Sequence, residues 1–279
     1  MTTRRTLETG TDDLQGYVED RVAVLTMNRP ERRNALSSGM LRGLAAALAE
    51  VETAADVGCV LLTGAGAAFC AGGDVKGMNE RNRAVADGGA GASVEDKVAD
   101  LRARQRSVSL AMHQLPQPVV AALPGPAAGA GLSIALAADL RLAAERAILV
   151  TAFSGVGGSG DFGGSWFLTH LVGAAKAKEL YFLSPRLSAS DAERLGLVNS
   201  VLPDDGFDEA ALAYCQALAA RAPIALRYMK ENINRAGTVD LAAALDAEAP
   251  AMVRSMSTED HREAAAAFVE KRDAVFHGR

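Results

Sequence analysis

The chain has 279 residues, of which 49% are hydrophobic and 23% charged, values typical of a folded globular protein. Its formal net charge of -5 argues against a nucleic-acid partner, which would need clustered basic residues. Three widely spaced cysteines and four scattered histidines indicate a reducing, cytoplasmic setting and predict neither a disulfide framework nor a metal site. The apolar runs are too short to span a bilayer, so we expect no membrane partner.

The first part of the chain alternates apolar strands with helical patterns. Residues 1–16 are polar, lack the apolar segment of a secretory signal and are expected to fray. This alternation favours an α/β protein with a covered sheet. The predicted elements are a β-hairpin over Val18–Met27, a helix from Ser37 or Ser38 to about Glu52, a strand over Val57–Thr63, a loop over Arg81–Ser93, a helix over Val94–Gln114, a strand over Val119–Leu123, a helix opened by the turn at Gly125–Gly131 and ending near Ala137, and strands over Leu140–Ala144 and Ala147–Thr151.

After Gly173 the pattern becomes mainly helical, with one strand predicted over Leu197–Leu202. We therefore predict a core over residues 1–205 and a helical region over residues 206–279. The predicted helices are Ala174–Phe182, Ala189–Leu195, Phe207–Arg221, Ile224–Ala236, Val239–Met256 and Glu259–Val275.

Two glycine-rich turns, at Phe69–Lys76 and Gly125–Gly131, each follow a buried strand. Small residues let backbone N–H groups approach a ligand closely, and two such groups aimed at one point would form an oxyanion hole. Both segments could equally be tight strand-to-helix turns without a ligand. Neither matches the glycine pattern of a P-loop or of a dinucleotide-binding turn.

Five segments in order along the chain carry a wider resemblance: NRPERRNALS (28–37), VLLTGAGAAFCAGGDVKGM (60–78), PVVAALPGPAAGAGLSIALAADLRLA (118–143), GGSWFLTHLVGAAKAKELYF (163–182) and EDHREAAAAFVEKR (259–272). They resemble the signature segments of the crotonase superfamily, the enoyl-CoA hydratase/isomerase group. The resemblance implies a crotonase-like spiral of β-β-α repeats with a C-terminal helical oligomerisation region. It also implies a homotrimer or a dimer of trimers.

The same resemblance implies an acyl-CoA thioester substrate and an oxyanion hole made by the N–H groups of Gly73 and Ala130. CoA is then part of the substrate, and no separate cofactor is expected. Lys271 or Arg272 is a weaker candidate for contacting the nucleotide phosphates of a neighbouring subunit. The positions that match the family's CoA contacts are Arg29, Ala35, Ala71, Asp74, Val75 and Lys76.

The chain departs from the hydratases of this family at both catalytic glutamates. Ser133 stands where the first glutamate is expected, and Phe153 stands where the second is expected. Serine is no proton acceptor near neutral pH without its own base, and phenylalanine can neither accept nor donate a proton. Efficient hydration by the usual pair is therefore not expected.

Asp161 is the candidate catalytic acid. Gly155–Gly164 resembles the loop in which epoxyphenylacetyl-CoA isomerases and some enoyl-CoA isomerases carry a single carboxylate. Phe153 and Phe162 would form an apolar wall that raises its pKa. Asp161 could instead form an Asx turn. Asp139 and Asp74 are expected to be structural, a loop acid such as Glu80 or Asp87 could assist, and Trp166, Phe167 and His113 are expected to be packing residues.

The sequence therefore predicts an acyl-CoA isomerase that shifts a double bond, or rearranges a strained ring, through Asp161. Two alternatives stay open at this stage. One is an enoyl-CoA hydratase with a non-standard acid/base pair, and the other is a non-catalytic CoA-thioester-binding protein.

Overall fold

A computed structural model of the protein describes residues 4–74 and 91–279. The strands within this part are β1 (Arg5–Thr6), β2 (Leu14–Glu19), β3 (Val22–Met27), β4 (Cys59–Gly64), β5 (Val119–Leu123), β6 (Ala127–Ala128), β7 (Leu140–Ala144), β8 (Ile148–Val150), β9 (Leu187–Ser188) and β10 (Ser200–Leu202).

Seven of these strands form the main sheet, in the order β1-β2-β3-β4-β5-β7-β10. The strands from β3 to β10 are parallel, while β1, β2 and β3 pair antiparallel at one edge. The β2–β3 hairpin turns at Asp20 and Arg21, which both have positive φ, as a two-residue hairpin turn of the mirror type requires. Strands β6, β8 and β9 form a second, small sheet beside it.

Helices cover the main sheet on both faces. They are α1 (Ser38–Thr53), α2 (Val94–Gln105), α3 (Ala111–Gln114), α4 (Ala130–Ala137), α5 (Gly164–Leu183), α6 (Ala189–Arg194), α7 (Phe207–Ala219), α8 (Pro223–Ala236), α9 (Leu241–Met256) and α10 (Glu259–Glu270). A π-helical segment, Arg106–Leu110, joins α2 to α3.

The apolar side chains form two cores, one on each face of the sheet. The larger core lies between the sheet, α1 and α4 and includes Phe69, Met40 and Ile134. The smaller core lies beneath α7, where Phe207 and Cys215 pack against alternate residues of the parallel strands. Burial on both faces explains why the parallel strands are continuous apolar runs in the sequence.

The α/β class and most predicted elements are confirmed. The amphipathic pattern after Ser37 forms α1, whose N-cap is the Ser37 hydroxyl accepting from the Met40 N–H. The helix predicted over Val94–Gln114 is continuous through its π-helical segment. No helix in the described part of the chain is long and apolar enough to cross a membrane.

Some boundaries were predicted wrongly. Helix α5 contains two helical segments that meet at a kink, where Gly173 has non-helical angles, φ 77° and ψ 160°. The segment after Gly173 is the helix predicted from Ala174, whereas the segment that begins at Gly164 was not predicted. Helix α10 ends at Glu270 rather than Val275, since Lys271 adopts a left-handed conformation. Residues 5–16 are not frayed, because β1 pairs with β2 and the Leu7 side chain is buried.

The helical end of the chain is firmly attached to the sheet. Helix α7 packs on the smaller core. Lys230 of α8 lies at the beginning of β5. The Lys230 ammonium donates to Asp139 Oδ2 at 2.7 Å and to two backbone carbonyl oxygens, and Asp139 Oδ2 also accepts from the Val119 N–H. Asp139 therefore has the structural role expected for it. The division of the chain at residue 205 stays a prediction.

Candidate active site

The first glycine turn runs along the segment before α1. Leu36 and Gly73 form an isolated parallel bridge, in which the Leu36 N–H donates to the Gly72 carbonyl at 2.8 Å. The Gly72 carbonyl, which faces Leu36, and the Gly73 N–H belong to one planar trans peptide group, so they point in opposite directions. The Gly73 N–H therefore points to the other side, where the second turn lies.

The second turn leads from β6 into α4. Gly129 has φ 53° and ψ -126°, a conformation that favours glycine, and its N–H donates to the Val150 carbonyl. Ala130 is the first residue of the helix, so its N–H has no acceptor within the helix. Because Ala130 has no positive φ, alanine suits this position where the family resemblance leads one to expect glycine.

The two turns are packed against each other without spare room. A Cβ atom on Gly72 would lie 2.6 Å from the Ala128 carbonyl oxygen and 3.3 Å from the Ala130 nitrogen. A Cβ atom on Gly131 would lie 2.6 Å from the Cys70 Cβ. This close approach brings the neighbourhoods of Gly73 and Ala130 together, as two donors to one oxyanion require.

Asp161 lies on the loop between β8 and α5, opposite these turns. Several residues of this loop have positive φ, among them Gly160, Phe162 and Gly163. The loop closes on itself at the start of α5, where the Gly164 N–H donates to the Asp161 carbonyl at 3.0 Å. The Asp161 side chain makes no hydrogen bond with the described residues, and its Oδ1 is buried. An Asx turn made by this side chain is therefore not observed.

Burial raises the pKa of Asp161 to about 6. Burial also raises the pKa of the Cys70 thiol to about 12, and the negative charge of Asp161 adds to that rise. The second effect requires the carboxylate to be close to the first glycine turn. A Cβ atom on Gly164, three residues after Asp161, would lie 3.0 Å from the Ser133 Cβ, so the loop that carries this carboxylate packs against the helix that begins at Ala130.

Ser133, Phe153 and Phe162, the predicted pocket residues, surround the same place. Ser133 is buried on α4 and its hydroxyl donates to the Gly129 carbonyl at 3.3 Å. Phe153 stacks on the ring of Tyr181 at a centroid distance of 5.7 Å. Sequence reasoning missed Tyr181, because it lies on α5, twenty residues after Asp161, with no motif to mark it.

Phe162, the residue after Asp161, lines a cavity of about 400 Å³ whose walls are mainly apolar, although Arg102 and Arg106 also line it. Trp166, Phe167 and His113 line this cavity. Phe167 also packs against the larger core, as the sequence predicted. Trp166 is 42% exposed, and its ring meets those of His113 and Phe167 edge to face. Burial and the Lys230 charge lower the pKa of His113, which favours its neutral form.

The predicted CoA contacts are placed unevenly. The Arg29 guanidinium donates to the Ala35 carbonyl at 2.7 Å, so both groups already pair within the protein. Ala71 is exposed and Asp74 half-buried, whereas Val75 and Lys76 lie outside the described residues, as do Glu80 and Asp87. Arg272 is paired with Glu263 and Glu270, and Lys271 ends α10. The CoA-binding assignments stay predictions.

In the described part of the chain, no three His, Cys, Asp or Glu residues are grouped to hold a metal ion.

Comparison with known proteins shows the family of the chain. Residues 18–279 match the family model described as enoyl-CoA hydratase/isomerase. The chain belongs to this family. A 1,2-epoxyphenylacetyl-CoA isomerase from Escherichia coli is 37% identical over 94% of the chain and 97% of its own length. A short-chain-enoyl-CoA hydratase from Clostridium acetobutylicum is 35% identical over 91% and 93%.

Solved structures of the enoyl-CoA hydratase/isomerase family share the fold. The crystal structure of an enoyl-CoA hydratase from Bacillus anthracis aligns with a TM-score of 0.87 and 33% identity, over 96% of the chain and 100% of the other chain. The expectation of a crotonase-like fold is therefore confirmed. The relatives include proteins named as hydratases and as isomerases, so the family alone does not decide between these reactions.

Proposed function

We propose that the protein is an enoyl-CoA isomerase that acts on an acyl-CoA thioester through one carboxylate. The observation that carries this proposal is Asp161, a carboxylate with no hydrogen-bond partner among the described residues and a pKa raised to about 6. A general base is most effective when its pKa is near the working pH. Ser133 and Phe153, which stand where a hydratase of the family would have glutamates, supply no second base.

The proposed reaction moves one proton and leaves the atom count unchanged. The Asp161 carboxylate removes a proton from C2 of a 3-enoyl thioester, and the electron pair moves into the thioester to give a dienolate. The N–H groups of Gly73 and Ala130 hold the dienolate oxygen. Protonated Asp161 then returns the proton to C4, while the double bond forms between C2 and C3. No separate cofactor takes part.

The acyl group is proposed to extend past Phe162 into the cavity of about 400 Å³. Its aromatic walls suit an apolar chain or a ring, since rings pack well edge to face. One relative is named as an isomerase of an epoxyphenylacetyl thioester, which supports testing ring-bearing substrates beside straight chains. A ring rearrangement would use the same carboxylate and the same oxyanion hole.

Hydration is the second candidate function. It is favoured by the buried hydroxyl of Tyr181, which has no partner among the described residues and lies near Asp161. A water held between these two groups could add to a double bond. The relative named as a short-chain-enoyl-CoA hydratase supports including this reaction in the tests.

Proton exchange at C2 and C4 of a 3-enoyl-CoA in D₂O, followed by NMR, tests the proposal. We expect exchange and double-bond migration in the wild type and a loss of roughly 10²–10⁴-fold in Asp161→Asn. Asp205→Asn, an exposed aspartate, is the matched control and should behave as the wild type. Turnover by Asp161→Asn close to that of the wild type would remove the proposal. Thioester binding without exchange, across straight-chain and ring-bearing substrates, would indicate a binding protein instead.

We further propose that α8, α9 and α10 carry the surface for a homotrimer or a dimer of trimers. Ile233, Leu241, Leu245, Val253 and Phe268 are large apolar residues on these helices, and each is more than half exposed. A single chain rarely exposes so many such residues together unless another surface covers them. Light scattering of the purified protein tests this; a monomer at micromolar concentration would contradict it.

A further inference from the structure

Two buried polar atoms near each other lack partners in the described part of the chain. One is Oδ1 of Asp161 and the other is the hydroxyl oxygen of Tyr181. The charge of Asp161 raises the pKa of Tyr181, after burial, which has the larger effect. The two groups are therefore electrostatically coupled, although no hydrogen bond joins them. Native structures leave few buried polar groups unpaired, so such a pair needs an explanation.

The fold directs the Tyr181 hydroxyl to the loop of Asp161. A Cβ atom on Gly160 would lie 3.2 Å from the hydroxyl oxygen, and one on Gly164 would lie 2.7 Å from it. The hydroxyl thus lies close to Gly160, which precedes Asp161, and to Gly164, three residues after it. Phe153 stacks on the Tyr181 ring and fixes its plane. Phe153, which stands where a hydratase of the family would have its second glutamate, therefore packs against the tyrosine ring.

Ser133 approaches the same hydroxyl from α4. Its Oγ and the Tyr181 hydroxyl would both contact a Cβ on Gly164, so the two oxygens lie against the same glycine. Ser133 slightly opposes the rise in the pKa of Tyr181, but the geometry falls short of a hydrogen bond between them. The hydroxyl proton of Ser133 is directed to the Gly129 carbonyl. The Ser133 oxygen could still accept from Tyr181, but no such hydrogen bond is formed in the described part of the chain, so the Tyr181 O–H has no acceptor there.

We propose that Tyr181 is a further substrate-contacting residue, which together with Asp161 binds one hydroxyl oxygen, carried by the acyl chain or by a water molecule. The Tyr181 hydroxyl donates to this oxygen, and the bound hydroxyl donates to the Asp161 carboxylate. Tyr181 stays protonated at neutral pH, because its pKa is raised to about 12. A saturated, unsubstituted acyl chain would leave both groups unpaired, so the site favours a hydroxyacyl-CoA or an enoyl-CoA with water beside it.

This inference rests on the proposed function only in placing an acyl-CoA in the site, so its test measures binding and does not need turnover. Isothermal titration would compare butyryl-CoA with 3-hydroxybutyryl-CoA and 4-hydroxybutyryl-CoA. We expect one of the hydroxyacyl thioesters to bind the wild type about tenfold more tightly than butyryl-CoA, as one added hydrogen bond allows. Tyr181→Phe should erase that preference and leave the affinity for butyryl-CoA within about twofold.

A second arm separates the two sources of the oxygen. If water is the bound group, the hydroxyacyl preference is absent and Tyr181→Phe abolishes incorporation of labelled solvent oxygen into crotonyl-CoA. Tyr214→Phe, on α7 at the other face of the sheet, is the matched control and should change neither quantity. Near-wild-type butyryl-CoA binding by Tyr181→Phe shows that it is folded. If Tyr181→Phe then alters neither hydroxyacyl preference nor oxygen incorporation, the inference is overturned, whatever the exchange assay shows for Asp161.

Discussion

The two glycine turns and the Asp161 loop meet at one site, but they are built in opposite ways. In the turns, glycines such as Gly72 and Gly131 have no room for a side chain, and the chemistry is assigned to the main chain. In the loop, a Cβ added to Gly155 or Gly157 would meet no heavy atom within 4 Å, although one added to Gly160, next to Asp161, would lie 2.9 Å from the Tyr181 ring, and the chemistry is assigned to one carboxylate. The part proposed to bind the thioester is therefore fixed by packing, whereas the part proposed to choose the reaction can change with a single side chain.

This difference explains how one family contains hydratases and isomerases. The thioester oxygen is the same in every substrate, so main-chain donors on rigid turns suit all of them. The proton to be moved differs between reactions. In the proposed function Asp161 moves it, whereas the family resemblance assigns the glutamates of the hydratases to the positions of Ser133 and Phe153. Four changes would break or sharpen this contrast.

Ala130→Pro should have the largest effect. Proline is tolerated at the first position of a helix but has no N–H, so the change removes one oxyanion donor and keeps the turn. We expect kcat to fall roughly 10²–10³-fold in the exchange or isomerisation assay. Ala130→Gly, which keeps the N–H, should stay within a few fold of the wild type. A fully active Ala130→Pro enzyme would show that this N–H does not bind the thioester.

The pH dependence of kcat/KM should follow the ionisation of Asp161 in the loop, because the main-chain N–H groups of the turns do not titrate. Asp161 must be ionised to act as a base, and burial raises its pKa to about 6. Activity should therefore be constant above that pH and fall about tenfold per unit below it. Steady-state rates between pH 4.5 and 8.5 would measure this. An acid limb near 4, the usual range of a carboxyl group, would indicate that Asp161 is solvated or is not the base.

Gly164→Ala and Gly155→Ala form a matched pair within the loop region. A Cβ on Gly164 would collide with the Ser133 and Tyr181 hydroxyls, while one on Gly155 meets nothing within 4 Å. We expect Gly164→Ala to lower kcat/KM on the order of tenfold by displacing these groups, and Gly155→Ala to have almost no effect. Equal activity of the two variants would mean that the space around Tyr181 does not matter.

The smallest expected effect is on stability. The folded protein holds Asp161 with a raised pKa, so burial of its charge destabilises the folded state above about pH 6, and this cost disappears as the pH falls towards 4. Asp161→Asn should therefore have a higher Tm than the wild type at pH 8, and the difference should shrink at pH 5. Thermal denaturation at both values measures it. A lower Tm for Asp161→Asn at pH 8 would show that the ionised carboxylate is paired in the folded state.

The sequence by itself determined the fold class, the order of most elements and the family. Apolar runs such as Val119–Leu123, the cap at Ser37 and the two glycine turns are local signals, and local signals can be recognised without the third dimension. The same sequence also made Asp161 the candidate catalytic residue, because the chain departs from the hydratase pattern at Ser133 and Phe153.

Only the tertiary structure decided which side chains meet at the site. Tyr181 lies in a helical segment that the sequence predicted, but no motif shows that its hydroxyl reaches the Asp161 loop. Trp166 and His113 line the cavity beside Phe162 rather than filling the core. Burial, and with it the raised pKa of Asp161, depends on what distant segments pack around a group, and no local pattern encodes that.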